Sequence, residues 1–185
     1  MTAPGHPVSR LGVASESSGD PVLAEMYARI RAVRGRVLNI HQVCGMAPKL
    51  LRAQSAYAIA MREEASLPRD LQELLIMRVA QVNNSEYEQS VHRSIAIKCG
   101  VAPAKLEVLP SWRESSLFDA RERAALAYVE QAGRNGEVDD ATFAAAQNSF
   151  SPQEIVELTV LVAWYVGNAR FVRALRIATE TEQTR

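Results

Sequence analysis

The chain has 185 residues, of which 48% are hydrophobic and 23% are charged. A folded chain of this length buries roughly 70% of its unfolded surface, so neither disorder nor a stabilising metal or disulfide framework is expected. The 21 basic and 21 acidic side chains give a formal net charge of zero, which disfavours nucleic acid and membrane surfaces as partners.

The predicted elements begin after an irregular arm at residues 1–19, which carries Pro, Gly and Ser where a secretory signal would have an apolar core. Apolar residues then recur at three- and four-residue spacing up to Gly35, which predicts a first amphipathic helix. A loop is predicted at 41–47. Pro48 is a favourable first-turn residue and opens the second helix.

The third helix is predicted from Pro68 to the polar run Asn83, Asn84 and Ser85. Because these three residue types favour helix ends and caps, we expect a break there. A fourth helix follows and runs to Lys98.

Three later helices are predicted to open at Asp119, at Asp139 and at Pro152, the last running to about Thr181. No segment alternates in the manner of a strand, so we predict an all-α protein. The most apolar stretch, 158–169, is shorter than the ~20 residues that span a bilayer. We therefore expect a cytoplasmic protein that is neither exported nor embedded.

An internal repeat is indicated when the sequence is shifted by 84 residues. The shift aligns identical residues at Pro68/Pro152, Glu73/Glu157, Leu74/Leu158, Val82/Val166 and Asn84/Asn168. We therefore predict one all-α domain at 20–185 with pseudo-repeats at about 48–100 and 119–181. The second repeat replaces three polar residues of the first by Ala169, Val172 and Arg176.

Those three polar residues, Ser85, Glu88 and His92, lie at positions i, i+3 and i+7, which places them on one face of the fourth helix. Glu73 lies on the preceding helix, and the break at Asn84 would let its carboxylate approach the same face. A carboxylate beside an imidazole orients the ring and suits proton transfer near neutral pH. The helix start would favour a bound anion.

A structural alternative exists for each of these residues. Ser85 and Glu88 also have the spacing of a capping box, in which both side chains only satisfy the first backbone N–H groups of the helix. His92 alone fits a partly buried, hydrogen-bonded histidine. Glu73 alone fits an ion pair with Arg78 or another base.

The remaining histidines and cysteines show no useful grouping. His6 and His41 are predicted loop residues, while Cys44 and Cys99 form neither a CxxC motif nor a metal-ligand spacing, as expected of reduced core thiols. The sequence also lacks a Gly-rich phosphate loop after a strand. We therefore predict no metal, flavin or nicotinamide cofactor.

The segment from Glu73 through LLIMRVAQVNN, Ser85 and Glu88 to His92 resembles the signature of the carboxymuconolactone decarboxylase and alkylhydroperoxidase D-like family. Flanking segments APKLL, IAIKCGV and SPQEIVELTVLVAWYVGNARFVRAL extend the likeness over about residues 35–180. The resemblance implies an all-α alkylhydroperoxidase D-like fold and a homo-oligomer, for which we expect a trimer or a hexamer.

In the peroxidase branch of this family two cysteines occupy the positions of Ser85 and Glu88. Neither residue can form a sulfenic acid or a disulfide. The run from Tyr87 to His92 instead resembles the Tyr-Glu-aromatic-x-x-His pattern of the decarboxylase branch, with Gln89 replacing the aromatic residue.

The resemblance therefore implies a decarboxylase-like lyase acting on a small carboxylated lactone or carbonyl acid. It makes His92 the general acid/base, with Glu73 and Glu88 orienting it or shuttling the proton. Ser85 would hold the developing enolate and Tyr87 would contact the substrate. Two alternatives stay open: a non-catalytic binding or assembly protein of the same fold, and a thiol peroxidase, which the missing CxxC disfavours.

Overall fold

The structure is a computed structural model that describes residues 8–180. It contains nine α-helices and no strand in that range, which confirms the all-α prediction. The helices are α1 (Pro21–Arg34), α2 (Asn39–Cys44), α3 (Pro48–Glu63), α4 (Arg69–Val82), α5 (Glu86–Lys98), α6 (Pro103–Val108), α7 (Ala120–Asn135), α8 (Asp140–Gln147) and α9 (Pro152–Leu175), with 3-10 turns at Glu16–Ser18 and Leu109–Glu114.

Helix starts follow the local capping chemistry. The Asp119 side chain accepts a hydrogen bond from the Glu122 N–H, and the Glu122 side chain reaches back to the Asp119 N–H, so α7 begins with a complete capping box. Asp139 caps α8 by accepting from the Thr142 N–H. These contacts are local, which explains why the sequence predicts both helix starts.

The chain divides into two compact units. Within the described part of the chain, the first unit comprises residues 8–60 together with residues 171–180. Its apolar core is built from residues of α1, the following loop and α3, namely Leu23, Met26, Tyr27, Ile30, Val37 and Leu51.

The second unit spans Met61–Arg170 and holds a larger core. Ten consecutive residues of α4, Leu71 to Ala80, are buried, which makes α4 the central helix of this unit. The residues around it with at most 1% exposure include Ala96, Leu109, Ala125, Leu126, Val129, Leu158 and Leu161. The polar residues of α4 are therefore placed in a protein interior.

The prediction of a loop at 41–47 is wrong for residues 41–44, because residues 39–44 form α2. Asn39 and Val43 are buried, and the Asn39 side chain donates a hydrogen bond to the carbonyl of Ala178 at 2.9 Å. These contacts are distant in sequence, so a local pattern could not reveal the helix.

The last helix also ends earlier than the predicted Thr181. Arg176 has a left-handed φ of 50°, and the N–H of Ile177 turns back to the carbonyl of Val172 at 3.0 Å. Ile177 is buried at 6% exposure, so burial of this side chain accompanies the stop at Leu175.

One described helix, α9, is long and apolar enough to cross a membrane by length and composition alone. The prediction that the protein is not embedded in a membrane depends on the apolar stretch 158–169, and α9 is longer than that stretch. Leu158, Leu161 and Tyr165 of this helix lie in the core of the second unit.

Candidate active site

The turn between α4 and α5 determines where the candidate residues lie. Asn84 adopts a left-handed φ of 50°, and its N–H donates to the carbonyl of Gln81 at 3.1 Å. The N–H of Ser85 donates to the carbonyl of Ala80 at 2.8 Å. This pair of bonds is a Schellman motif, with asparagine in the position that usually holds glycine. It reverses the chain so that α5 packs against α4.

Ser85 is the N-cap of α5, because its hydroxyl accepts a hydrogen bond from the Glu88 N–H at 3.4 Å. The reciprocal half of a capping box requires the Ser85 N–H, which is directed to Ala80 instead. The alternative that Glu88 is a cap partner is therefore disfavoured by the geometry. Its carboxylate lies at His92.

Glu73, His92 and Glu88 form a continuous buried cluster. Nδ1 of His92 lies 2.8 Å from Oε2 of Glu73, and Nε2 lies 3.5 Å from Oε2 of Glu88. Glu73 is 0% exposed, Glu88 3% and His92 4%. The imidazole thus has one carboxylate near each ring nitrogen, and all three side chains are buried.

Two arginines hold the other side of Glu73. Nη2 of Arg62 lies 2.7 Å from Oε1 of Glu73, and Nη2 of Arg69 lies 3.3 Å from the same oxygen. Burial raises the pKa of Glu73, but the hydrogen bond and charge of His92 and the charges of both arginines outweigh it and lower the pKa overall. Glu73 is therefore ionised at neutral pH.

An ionised Glu73 determines the protonation of the ring. A carboxylate only accepts hydrogen bonds, so Nδ1 of His92 must carry a hydrogen. Nε2, on the opposite side of the ring, is then the nitrogen left to exchange a proton, and it lies 3.5 Å from Oε2 of Glu88.

Sequence reasoning missed Arg62 and Tyr165. Tyr165 packs edge-on to His92, with ring centroids 5.1 Å apart and an interplanar angle of 90°. Arg62 lies eleven residues after the buried Leu51, on the same face of α3, and a charged residue in a core position was the available signal. Tyr165 shows only the helical spacing of apolar residues, and every core residue of a helix shows the same spacing.

Two further predictions concern Tyr87 and Arg78. Tyr87 is 3% exposed, and its carbonyl accepts a hydrogen bond from the Ser90 hydroxyl at 2.8 Å. The alternative that Glu73 pairs with Arg78 or another base is wrong for Arg78, which lies 2.9 Å from Glu130, but Glu73 does pair with two other arginines. Arg78 is turned to a different part of the core.

His41 and the cysteines lie elsewhere in the fold. Burial and the charge of Arg34 lower the pKa of His41 to about 4, so its ring is neutral at pH 7. Cys44 and Cys99 are partly buried and not disulfide-bonded. Burial raises the pKa of Cys44 to about 11. His6 lies outside the described residues.

Across residues 8–180, no group of three or more His, Cys, Asp or Glu side chains is arranged to hold a metal ion. Glu73 and Glu88 contact opposite nitrogens of His92, so the three side chains do not converge on one point. The arrangement suits transfer of a proton through the ring.

Comparison with known proteins agrees with this fold. Residues 48–131 match the model of the carboxymuconolactone decarboxylase family. The uncharacterized protein YnjA of Escherichia coli (strain K12) is 31% identical over 121 residues, which are 64% of this chain and 66% of that protein. The matched region thus spans about two thirds of this relative.

Solved structures extend the likeness over nearly the whole chain. The alkylhydroperoxidase AhpD core of an uncharacterized peroxidase-related protein from Ralstonia eutropha JMP134 has a TM-score of 0.85 at 19% identity, covering 96% of this chain and 95% of that one. A variant of the debrominase Bmp8 in complex with 2,3,4-tribromopyrrole has a TM-score of 0.81 at 19% identity, covering 93% and 92%. At these identities the likeness shows the fold alone.

The fold is therefore all-α and similar to the alkylhydroperoxidase D-like fold. The segment 48–131, which is 84 of the 185 residues, is similar to the carboxymuconolactone decarboxylase family.

Proposed function

We propose that the protein is a cofactor-independent acid–base enzyme of the decarboxylase branch, acting on a small carboxylated lactone or a related carbonyl acid. The observation that carries the proposal is the imidazole of His92 held between Glu73 and Glu88. A fixed carboxylate on one nitrogen and a second carboxylate near the other is an arrangement that lets a histidine accept and return a proton.

In the proposed reaction the bond between the substrate carbon and its carboxylate breaks and CO₂ leaves. The bonding electron pair remains on carbon as an enolate conjugated with the lactone or ketone carbonyl. The His92–Glu88 pair then delivers its proton to that carbon. The Ser85 hydroxyl accepts from the Glu88 N–H and keeps its own hydrogen, which it can donate to the enolate oxygen. In an isomerisation the pair instead takes a proton from one substrate carbon and returns it to another, and no CO₂ is lost.

The thiol peroxidase alternative fits this chain poorly. The cluster around His92 is built from two carboxylates, and the raised pKa of Cys44, about 11, keeps that thiol protonated at neutral pH.

We also propose, from the family resemblance, a cytoplasmic homo-oligomer, either a trimer or a hexamer. Light scattering of the purified protein measures its mass directly.

The proposed chemistry is tested by incubating the protein in D₂O with carboxylated lactones and small keto acids and recording ¹H NMR spectra. We expect one compound to lose CO₂, or to isomerise, with deuterium entering at the enolate carbon. The matched control is His41→Gln, which removes a different buried histidine. A panel that is bound but never turned over by the wild-type protein favours the non-catalytic binding protein.

A further inference from the structure

Arg62 is a buried cation at the back of the candidate site. It lies in the last turn of α3, is 8% exposed, and places Nη2 2.7 Å from Oε1 of Glu73. Oε2 of the same carboxylate contacts Nδ1 of His92 at 2.8 Å. One carboxylate therefore connects the guanidinium of Arg62 to the imidazole of His92.

Arg69 is the weaker of the two cations on Glu73. Its side chain is 31% exposed and lies 3.3 Å from Oε1. It also donates to the carbonyl of Arg62 at 3.1 Å and to the side chain of Gln72 at 3.0 Å. Because solvent screens an exposed charge more than a buried one, Arg62 contributes more than Arg69 to keeping Glu73 ionised.

The charge on Glu73 decides which ring nitrogen of His92 carries hydrogen. If Glu73 took up a proton, its hydroxyl would donate to Nδ1, and the ring hydrogen would move to Nε2. Nε2 would then be a donor facing Glu88 instead of the place where a proton is accepted. The imidazole in water prefers the Nε2–H form, so the Nδ1–H form has to be imposed by its surroundings.

We propose that Arg62 is a positioning residue that sets the Nδ1–H tautomer of His92 by holding Glu73 as a carboxylate. The catalytic consequence rests on the proposed function, but the tautomer can be measured without a substrate. The groups that face the ring are Glu73 at Nδ1, Glu88 at Nε2 and Tyr165 at its edge.

A merely structural role for Arg62 makes a different prediction. Buried ion pairs often add little net stability, although removing one partner leaves a costly buried charge. If Arg62 only stabilised the fold, its replacement would lower the unfolding temperature and leave the His92 tautomer unchanged. The tautomer therefore separates the two roles.

The experiment is a long-range ¹H–¹⁵N correlation spectrum of the histidine rings, recorded while the pH is raised until the His92 ring is neutral. His→Gln variants assign the three histidines of the sequence. In the wild-type protein we expect Nε2 to lose its proton and Nδ1 to keep its hydrogen. In Arg62→Met we expect loss of this form in favour of Nε2–H. Arg62→Lys, which keeps the charge, should retain the Nδ1–H form of His92.

Arg78→Met is the matched control, because Arg78 is also 8% exposed and is paired with Glu130. It should leave the His92 spectrum unchanged. Should Arg62→Met fail to fold, Arg62→Gln removes the charge while keeping a neutral donor.

A wild-type His92 that carries its hydrogen on Nε2 when neutral would overturn the proposal. A folded Arg62→Met or Arg62→Gln with an unchanged Nδ1–H tautomer would also overturn it. Failure of the proposed function gives a different result, in which the wild-type tautomer is as expected but no compound of the panel is turned over.

Discussion

The backbone N–H of Ser85 donates to the carbonyl of Ala80 at 2.8 Å, and this bond removes the donor that a capping box at Ser85 and Glu88 would need. Glu88→Ala should therefore not behave like the loss of a cap partner. If Glu88 shares the mobile proton with His92, we expect turnover to fall ~100-fold, measured in the assay for the substrate that the D₂O panel identifies.

Glu122→Ala provides the comparison, because Glu122 is the partner in a complete capping box with Asp119. We expect it to cost about 1 kcal/mol of unfolding free energy and to leave turnover nearly unchanged. Denaturant titrations of both variants supply the stability values. Equal losses of stability with full activity in Glu88→Ala would show that Glu88 is structural.

Glu130 should determine part of the fall in the protein's folding stability at acidic pH. It contacts Arg78 at 2.9 Å, Arg113 at 2.7 Å and Arg134 at 3.2 Å. Burial raises the pKa of Glu130, but the hydrogen bonds of Trp112, Arg113 and Arg78 lower it to about 2. Because the folded-state pKa lies below the unfolded value of ~4.3, this stability is present above that pH and is lost as the pH falls toward 2.

Glu130→Gln should consequently lower stability at pH 7 by about 3–5 kcal/mol, since it leaves the buried guanidinium of Arg78 without its carboxylate. It should also flatten the fall in stability between pH 4 and pH 2, measured by urea unfolding. The exposed ion pair of Glu25 with Arg29 offers the control, and Glu25→Gln should cost about 1 kcal/mol or less. An unchanged acid profile in Glu130→Gln would contradict the assignment.

The thiols should be dispensable. Burial raises the pKa of Cys44 to about 11, so little of the Cys44 thiol is ionised at pH 7. We expect the wild-type protein to reduce an organic hydroperoxide with a dithiol donor only at the background rate. We expect the Cys44→Ser/Cys99→Ser double variant to keep its fold and any native activity. Loss of that activity in the double variant would reveal a thiol-dependent reaction.

Much of the fold follows from local chemistry. Pro48, Asp119 and Asp139 mark helix starts through capping and proline rules that act within one turn. The break at Asn84 and the fold-back of α5 could be predicted for the same reason, and they explain why Glu73 reaches His92. The predicted duplication of 48–100 in 119–181 stays a prediction: α4 ends at Val82, whereas α9 runs unbroken to Leu175.

The rest of the site depends on contacts that no local pattern encodes. Arg62 and Tyr165 reach Glu73 and His92 from other helices, and their approach depends on how the core of the second unit packs. The short sequence distance between Arg78 and Glu73 suggested an ion pair, yet the guanidinium of Arg78 contacts Glu130. Helix α2 was missed because its stabilising contacts come from the far end of the chain.

The central claim is that Glu73 and His92 form a proton-transfer centre, and the most direct measurement is kcat/KM of His92→Gln and Glu73→Gln beside His41→Gln. Both site variants should lose ~100-fold or more in turnover, whereas His41→Gln should stay close to wild type. Circular dichroism of each variant confirms that it is folded. Folded His92→Gln and Glu73→Gln proteins that retain wild-type kcat/KM would contradict the account.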